Sequence, residues 1–256
     1  MHPRNPIDIE AERSGEPVFR EVGVGPWSET HPGEPRPDDP ASPAFDPYRY
    51  DSTLLDEGDR RNVLDRYRYW RVAAIKADLD SRGRHDFEIA CENWTHDFNI
   101  GSMVRTANAF QARRVHIVGP HKWNRNGALM TELYQHVEHH PSIAELVECW
   151  RNRIAGEIAY ERSRAAADDA RIRELEAARV IAMDIIPGAV PMETYAFPKR
   201  CLLLFGAEGP GLTQTALDLA DDVVYISQFG SVRSINAGAA AAVTMHAWIA
   251  QHAAIR

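Results

Sequence analysis

No run of apolar residues in this 256-residue chain approaches the ~18 that a membrane-spanning helix needs. The opening Met1-His2-Pro3-Arg4 leads into an acidic stretch, not into the apolar segment of a secretory leader. Cysteine is scarce: Cys91, Cys149 and Cys201 are odd in number, widely spaced and set among apolar residues. That excludes a disulfide framework and suits buried free thiols of a cytoplasmic protein. Basic charge is also in deficit, with a net charge of −8, but the deficit is local. Residues 1–59 hold 14 Asp and Glu against 5 Lys and Arg, whereas the remainder holds 23 against 24. A nucleic-acid partner is therefore not excluded, because steering follows local potential.

Ten of the 16 prolines fall within residues 1–50, among Glu, Asp, Gly and Ser. A segment of that composition buries little apolar area, and 1–50 reads as an acidic, flexible tail. Val18, Phe19, Trp27, Phe45 and Tyr48 are its possible anchors. Over 54–84 the apolar spacing predicts a basic helix, with Leu55, Val63, Leu64, Tyr67, Trp70, Ala74 and Leu79 on one side. Arg60, Arg61, Arg66, Arg68 and Arg71 line its other face, interleaved with Tyr and Trp in a manner suited to RNA. An ordinary solvated face paired with Asp59 and Asp65 explains the same pattern.

Beyond Gly83 the period changes. Largely apolar runs at 87–91, 115–118, 180–183, 202–205 and 223–226, broken only by Glu88 and His116, and by Tyr225 near the end of the last, read as buried strands. Helical patterns separate them at 100–111, from Ser142 onward, over 151–178 and at 234–251. Strands alternating with helices predict an α/β fold with a parallel sheet.

Ligands of such sheets bind in loops at the carboxyl ends of strands. Three of these loops carry polar residues: 99–107, 206–212 and 227–236. The second has three glycines in six residues around Glu208, allowing tight turns and close approach to a ligand. It lacks the Lys-Ser or Lys-Thr of a phosphate loop, and its glycine spacing is wrong for a dinucleotide fold. In the third, Ser234 reads as the N-cap of the final helix, which leaves Asn236 as the functional candidate. His136, His139 and His140 stand at i, i+3 and i+4, a metal clip only if that segment is helical. No further ligand completes it, and no metal is expected. Lys122 and Arg125 flank Trp123 in a polar loop that could touch RNA.

Together these loops resemble the SpoU (TrmH-like) family of SPOUT RNA methyltransferases. Asn99, Gly101 and Arg105 match its first motif, Gly206-Ala207-Glu208-Gly209-Pro210-Gly211-Leu212 its second, and Gly230 with Ser234-Ile235-Asn236 its third. The likeness spans 86–252, with two departures: Ser227 stands where the family has Pro, and Ile235 where it has Leu. The resemblance implies a C-terminal deep trefoil knot, which periodicity alone would never suggest. It also implies a homodimer and S-adenosylmethionine bound in the knotted loops. Leu204, Gly206, Glu208, Ile226, Phe229, Ser234 and Ile235 would hold that cofactor, mostly through main-chain groups. The implied reaction is methyl transfer to a ribose 2′-hydroxyl of RNA, with Asn99, Arg105, Glu208, Ser234 and Asn236 as catalytic or positioning residues. An arginine, which stays protonated at any physiological pH, is a poor base, so Arg105 is read as stabilising the developing alkoxide. The compact basic N-terminal part favours tRNA over ribosomal RNA. A catalytically silent RNA-binding protein of the same fold, and methylation of a base nitrogen, stay open.

Overall fold

The computed structural model describes residues 5–16, 19, 22–95 and 98–254. Of the anchors named above, Val18 lies outside them. The chain divides into two units, Met1–Ala74 and Ile75–Arg256.

The first unit carries α1 (Pro6–Arg13), α2 (Trp27–Thr30) and α3 (Ser52–Glu57), and its centre is the buried carboxylate of Asp59. Arg61 donates to both Asp59 oxygens at 2.9 and 2.6 Å, and the Tyr69 N–H donates at 2.9 Å. Trp27 stacks on His31 with centroids 3.6 Å apart and meets the Tyr69 ring edge-on. The Tyr69 hydroxyl donates to the Gly25 carbonyl at 2.6 Å. Residues 22–50 are thus tied down in part, where the sequence reads as a flexible tail with a few possible anchors. Trp27 serves as an anchor, whereas Phe19, Phe45 and Tyr48 are exposed.

The single helix expected over 54–84 is also corrected. α3 ends at Gly58, a short 3-10 turn occupies Asp65–Tyr67, and α4 begins only at Val72 and runs to Ser81. Asp59 explains the break, because a buried carboxylate needs donors that a continuous helix would have kept for its own carbonyls.

The second unit is a seven-stranded, all-parallel sheet. Its strands are β1 (Phe87–Glu92), β2 (Val115–Val118), β3 (Val137–His140), β4 (Arg179–Met183), β5 (Val190–Pro191), β6 (Cys201–Phe205) and β7 (Asp222–Tyr225). They lie in the order β3-β2-β1-β6-β4-β7-β5. Alternation along the strands sorts the core into two layers. Ile89, Ile117, Ile181, Leu203 and Phe205 pack with α5 (Ile100–Ala109) and α9 (Ala237–His252). Ala90, Val118, Val180, Leu202 and Leu204 pack with α6 (Ile143–Ser163) and α8 (Gln214–Leu219). The charged stretch at 151–178 resolves into the end of α6 and a separate α7 (Asp169–Glu176). Two strands, β3 and β5, have no counterpart among the apolar runs of the sequence. Three of the four residues of β3 are polar, and the strand places His139 and His140 on opposite faces, so the helical histidine clip does not form.

Candidate active site

The loops after β1, β6 and β7 meet at the carboxyl ends of the strands, the position at which open parallel sheets take ligands. Three side chains from the three sequence motifs converge there. Nδ2 of Asn99 donates to Oε2 of Glu208 at 2.8 Å. Nδ2 of Asn236 donates to Oδ1 of Asn99 at 2.8 Å and to the same Glu208 oxygen at 3.2 Å. Glu208 Oε2 also accepts the Ala237 N–H, at the start of α9, at 3.1 Å. A carboxylate at a helix N-terminus is favoured by the dipole, which adds to these bonds in holding the loop.

Asn236 is itself the N-cap of α9, its Oδ1 accepting the Ala239 N–H at 3.2 Å. This corrects the assignment of the cap to Ser234 and of no capping role to Asn236. One side chain performs both jobs because oxygen and nitrogen of the amide point to different partners.

Two glycines permit this closeness. A Cβ on Gly238 would lie 2.6 Å from Ser102 Oγ and 3.2 Å from Asn236 Oδ1, so α9 could not approach α5 as it does. A Cβ on Gly206 would lie 2.0 Å from the Gly211 carbonyl carbon. Gly206 is followed by a tight turn in which Ala207 and Gly211 exchange both backbone bonds, at 3.2 and 3.0 Å.

Beside this junction lies a cleft. Phe205, Val224 and Ala240 line it, together with Gly206, Glu208, Ile226, Ser234 and Ile235. Five of the seven predicted cofactor contacts are therefore on its wall. Leu204 is not, since alternation turns its side chain to the α6 layer, and Phe229 is not, being 96% exposed. Gln228 Oε1 borders the cleft, buried and without a hydrogen-bond partner among the described residues. A ligand N–H would satisfy it. Arg105 stands on α5 one turn beyond Ser102, exposed and with no ion pair among the described residues.

Sequence reasoning missed three acids that hold the loops. Glu92 is buried at the end of β1 and accepts the Thr213 N–H and hydroxyl at 2.8 and 2.7 Å. Asp184, at the end of β4, accepts the Leu212 N–H at 3.3 Å and borders the cleft. Glu193 accepts the N–H and hydroxyl of Ser227 at 3.1 and 2.8 Å. A proline at 227 would supply neither donor, so the departure from the family pattern has its own partner. Only the position at strand ends could have flagged these acids.

The predicted RNA contacts divide. Arg61 is bound to Asp59 and to the Trp70 carbonyl, and Arg68 donates to the Arg61 carbonyl at 2.7 Å. These two serve the first unit's interior, which corrects their assignment to RNA. Arg71 is exposed while its Nε donates to the Tyr50 carbonyl at 2.7 Å. Arg60 and Arg66 are exposed, Arg66 lying over the Tyr67 ring. In the second unit Lys122 and Arg125 are exposed, with Arg125 over the Trp123 ring at 5.8 Å.

The sequence profile of the SpoU rRNA Methylase family matches residues 160–246, which include the Glu208 and Asn236 motifs. With Asn99 bonded to both, the three family motifs meet at one point. Over this stretch the chain is similar to the SpoU family. Among its relatives is the tRNA (guanosine(18)-2′-O)-methyltransferase of Escherichia coli, 25% identical over 179 residues, 70% of this chain and 68% of that protein. The enzyme of the same name from Thermus thermophilus is 27% identical, over 64% of this chain and 74% of that one. The SpoU fold is shared with the TrmH/SpoU tRNA modifying enzyme of A. aeolicus, at a TM-score of 0.54 and 16% identity, covering 71% of this chain and 82% of that one. It is also shared with the SpoU methyltransferase AviRb of Streptomyces viridochromogenes, solved with AdoMet, at a TM-score of 0.51 and 23% identity. That match covers 66% of this chain and spans 58% of AviRb.

Proposed function

We propose that this protein is an S-adenosylmethionine-dependent RNA methyltransferase acting on a ribose 2′-hydroxyl, with tRNA as substrate. The observation that carries the reading is the junction of Asn99, Glu208 and Asn236 beside a cleft at the strand ends. The cofactor supplies an already activated methyl group. What remains for the chain is alignment of donor and acceptor and relief of the negative charge that develops on the hydroxyl oxygen.

The residues present fit that cofactor. Backbone groups around Gly206, Ile226 and Ile235 and the unpartnered Gln228 Oε1 would hold its polar edge, and Phe205, Val224 and Ala240 its flat apolar face. Glu208, already accepting three donors, fixes the loop and is a positioning residue. Arg105, on the helix that begins at Asn99 and carries Ser102, is the group that meets the ribose hydroxyl or its phosphate. Exposed Lys122 and Arg125, and in the first unit Arg60 and Arg66, supply positive charge for the RNA backbone.

The fold relationship supports a trefoil knot in the C-terminal loops and a homodimer. No described helix is long and apolar enough to cross a membrane. A cytoplasmic location belongs to the same proposal and rests on the RNA substrate. Incubation with tritiated S-adenosylmethionine and separate tRNA and ribosomal RNA pools tests the reading. Label in alkali-resistant dinucleotides of tRNA is expected. Label in a base would refute the chemistry, and label only in ribosomal RNA the substrate.

A further inference from the structure

On the α6 face of the sheet, away from the cleft, β1, β2 and β3 each contribute a polar residue where the neighbouring layer is apolar. Glu88, His116 and His140 are buried there. His116 is paired in register with Glu138 across β2 and β3, and His140 follows two residues later on the same face.

Three atoms of this group converge. His116 Nδ1 lies 2.9 Å from His140 Nε2 and 3.6 Å from Glu138 Oε2, and the latter two are 3.9 Å apart. A circle through three points so spaced has a radius of about 2.0 Å, the length of a zinc bond to imidazole nitrogen or carboxylate oxygen.

The far side of each imidazole adds an independent observation. His116 Nε2 is 2.7 Å from Glu88 Oε2, and His140 Nδ1 is 2.6 Å from Glu145 Oε2. A carboxylate on the outer nitrogen takes its proton as a hydrogen bond and turns the inner nitrogen's lone pair inward. Two lone pairs facing each other at 2.9 Å repel unless a metal ion or a shared proton lies between them. The remaining charges around the group come from every packed element. Arg114 and Arg153 reach Glu138 at 2.7 and 3.1 Å, and Arg153 and Arg200 reach Glu88 at 3.3 and 2.6 Å. Glu157 sits on Arg200, and Cys149 donates to Glu145.

We propose that His116 Nδ1, His140 Nε2 and Glu138 Oε2 form a binding site for a divalent ion of the zinc class. Two imidazoles and one carboxylate, with water as fourth ligand, suit zinc or cobalt, whereas magnesium and calcium require oxygen cages. An ion here fastens β3, an edge strand, to β2 and through Glu145 to α6. The site is independent of methyl transfer.

The test is calorimetric titration of chelator-treated, full-length protein with zinc chloride, paralleled by the visible absorption of the cobalt complex. One ion per chain is expected, with cobalt bands of a four-coordinate nitrogen and oxygen site and a rise in melting temperature on zinc addition. His140→Asn and Glu138→Gln should each weaken binding at least a hundredfold, and Glu145→Gln ten- to a hundredfold. His139→Asn, on the exposed face of β3, should change nothing. Should His140→Asn fail to fold, Glu138→Gln, at a half-exposed position, decides the question. Absence of one-to-one binding, meaning that only a shared proton bridges the histidines, would overturn the proposal. So would binding that survives both ligand substitutions.

Discussion

Nδ2 of Asn236 sits 2.8 Å from Oδ1 of Asn99, a contact between residues 137 positions apart that fastens the start of the last helix to the end of the first strand's loop. Because Asn236 also caps α9, removing its side chain has two separable effects. Asn236→Ala should cost about 1 kcal/mol through the lost cap and lower methyl transfer at least tenfold. Asn236→Asp keeps an acceptor for the cap but sets a second carboxylate against Glu208. It should melt near the wild type and be as inactive as the alanine variant. Full turnover by Asn236→Asp would show that only the cap matters.

Gly206 has no room for a side chain, since a Cβ would sit 2.0 Å from backbone of Gly211. Gly206→Ala should open the turn, displace Glu208 and weaken S-adenosylmethionine binding at least tenfold in calorimetry. The sheet beneath is independent of that turn, so far-ultraviolet circular dichroism should be unchanged. Retained affinity would mean that the turn does not shape the cleft.

In the first unit, burial opposes ionisation of Asp59, but Arg61 and the N–H groups of Tyr69 and Arg61 outweigh it and hold its pKa below the usual 3.8. As pH falls, the unfolded chain takes up that proton first. Stability contributed by Asp59 is therefore full above about pH 5 and is lost on acidification toward the lower folded value. Asp59→Asn should be less stable at neutral pH and should flatten the acid limb of the unfolding curve, followed by Trp fluorescence. An unchanged acid limb would contradict the assignment.

No residue of α1 is buried, whereas Trp27 stacks on His31 and touches Tyr69. A chain beginning at residue 17 should melt within about a degree or two of the full chain, while Trp27→Ala should lose ~2 kcal/mol. A large drop on truncation would show that α1 is docked in solution.

Much of the second unit is legible in the sequence because its central strands are buried on both faces. Such strands are predominantly apolar runs, and Leu202 to Phe205, or Phe87 to Cys91 with its single Glu88, admit little else. β3 escapes this signal: Val-Glu-His-His at a sheet edge carries the polar cluster, and its spacing imitates a helix. The motif residues Asn99, Glu208 and Asn236 can be named from sequence, but not their bonding, which joins Asn99 to residues over a hundred positions away. Glu92 and Asp184 leave no periodic trace, since a single acid at a strand end looks the same whether it holds a loop or faces water. The first unit departs from its sequence pattern because helical spacing over 54–84 competes with one buried carboxylate, and Asp59 wins by collecting its donors locally.

At the centre of the proposed reaction stands the junction of Asn99, Glu208 and Asn236, with Arg105 proposed as the group that meets the ribose hydroxyl. Single-turnover transfer from S-adenosylmethionine to tRNA by Arg105→Ala, with cofactor affinity measured in parallel, tests this most directly. At least a hundredfold loss of transfer is expected, with an unchanged Kd for the cofactor. Wild-type transfer by Arg105→Ala would contradict the role given to that arginine.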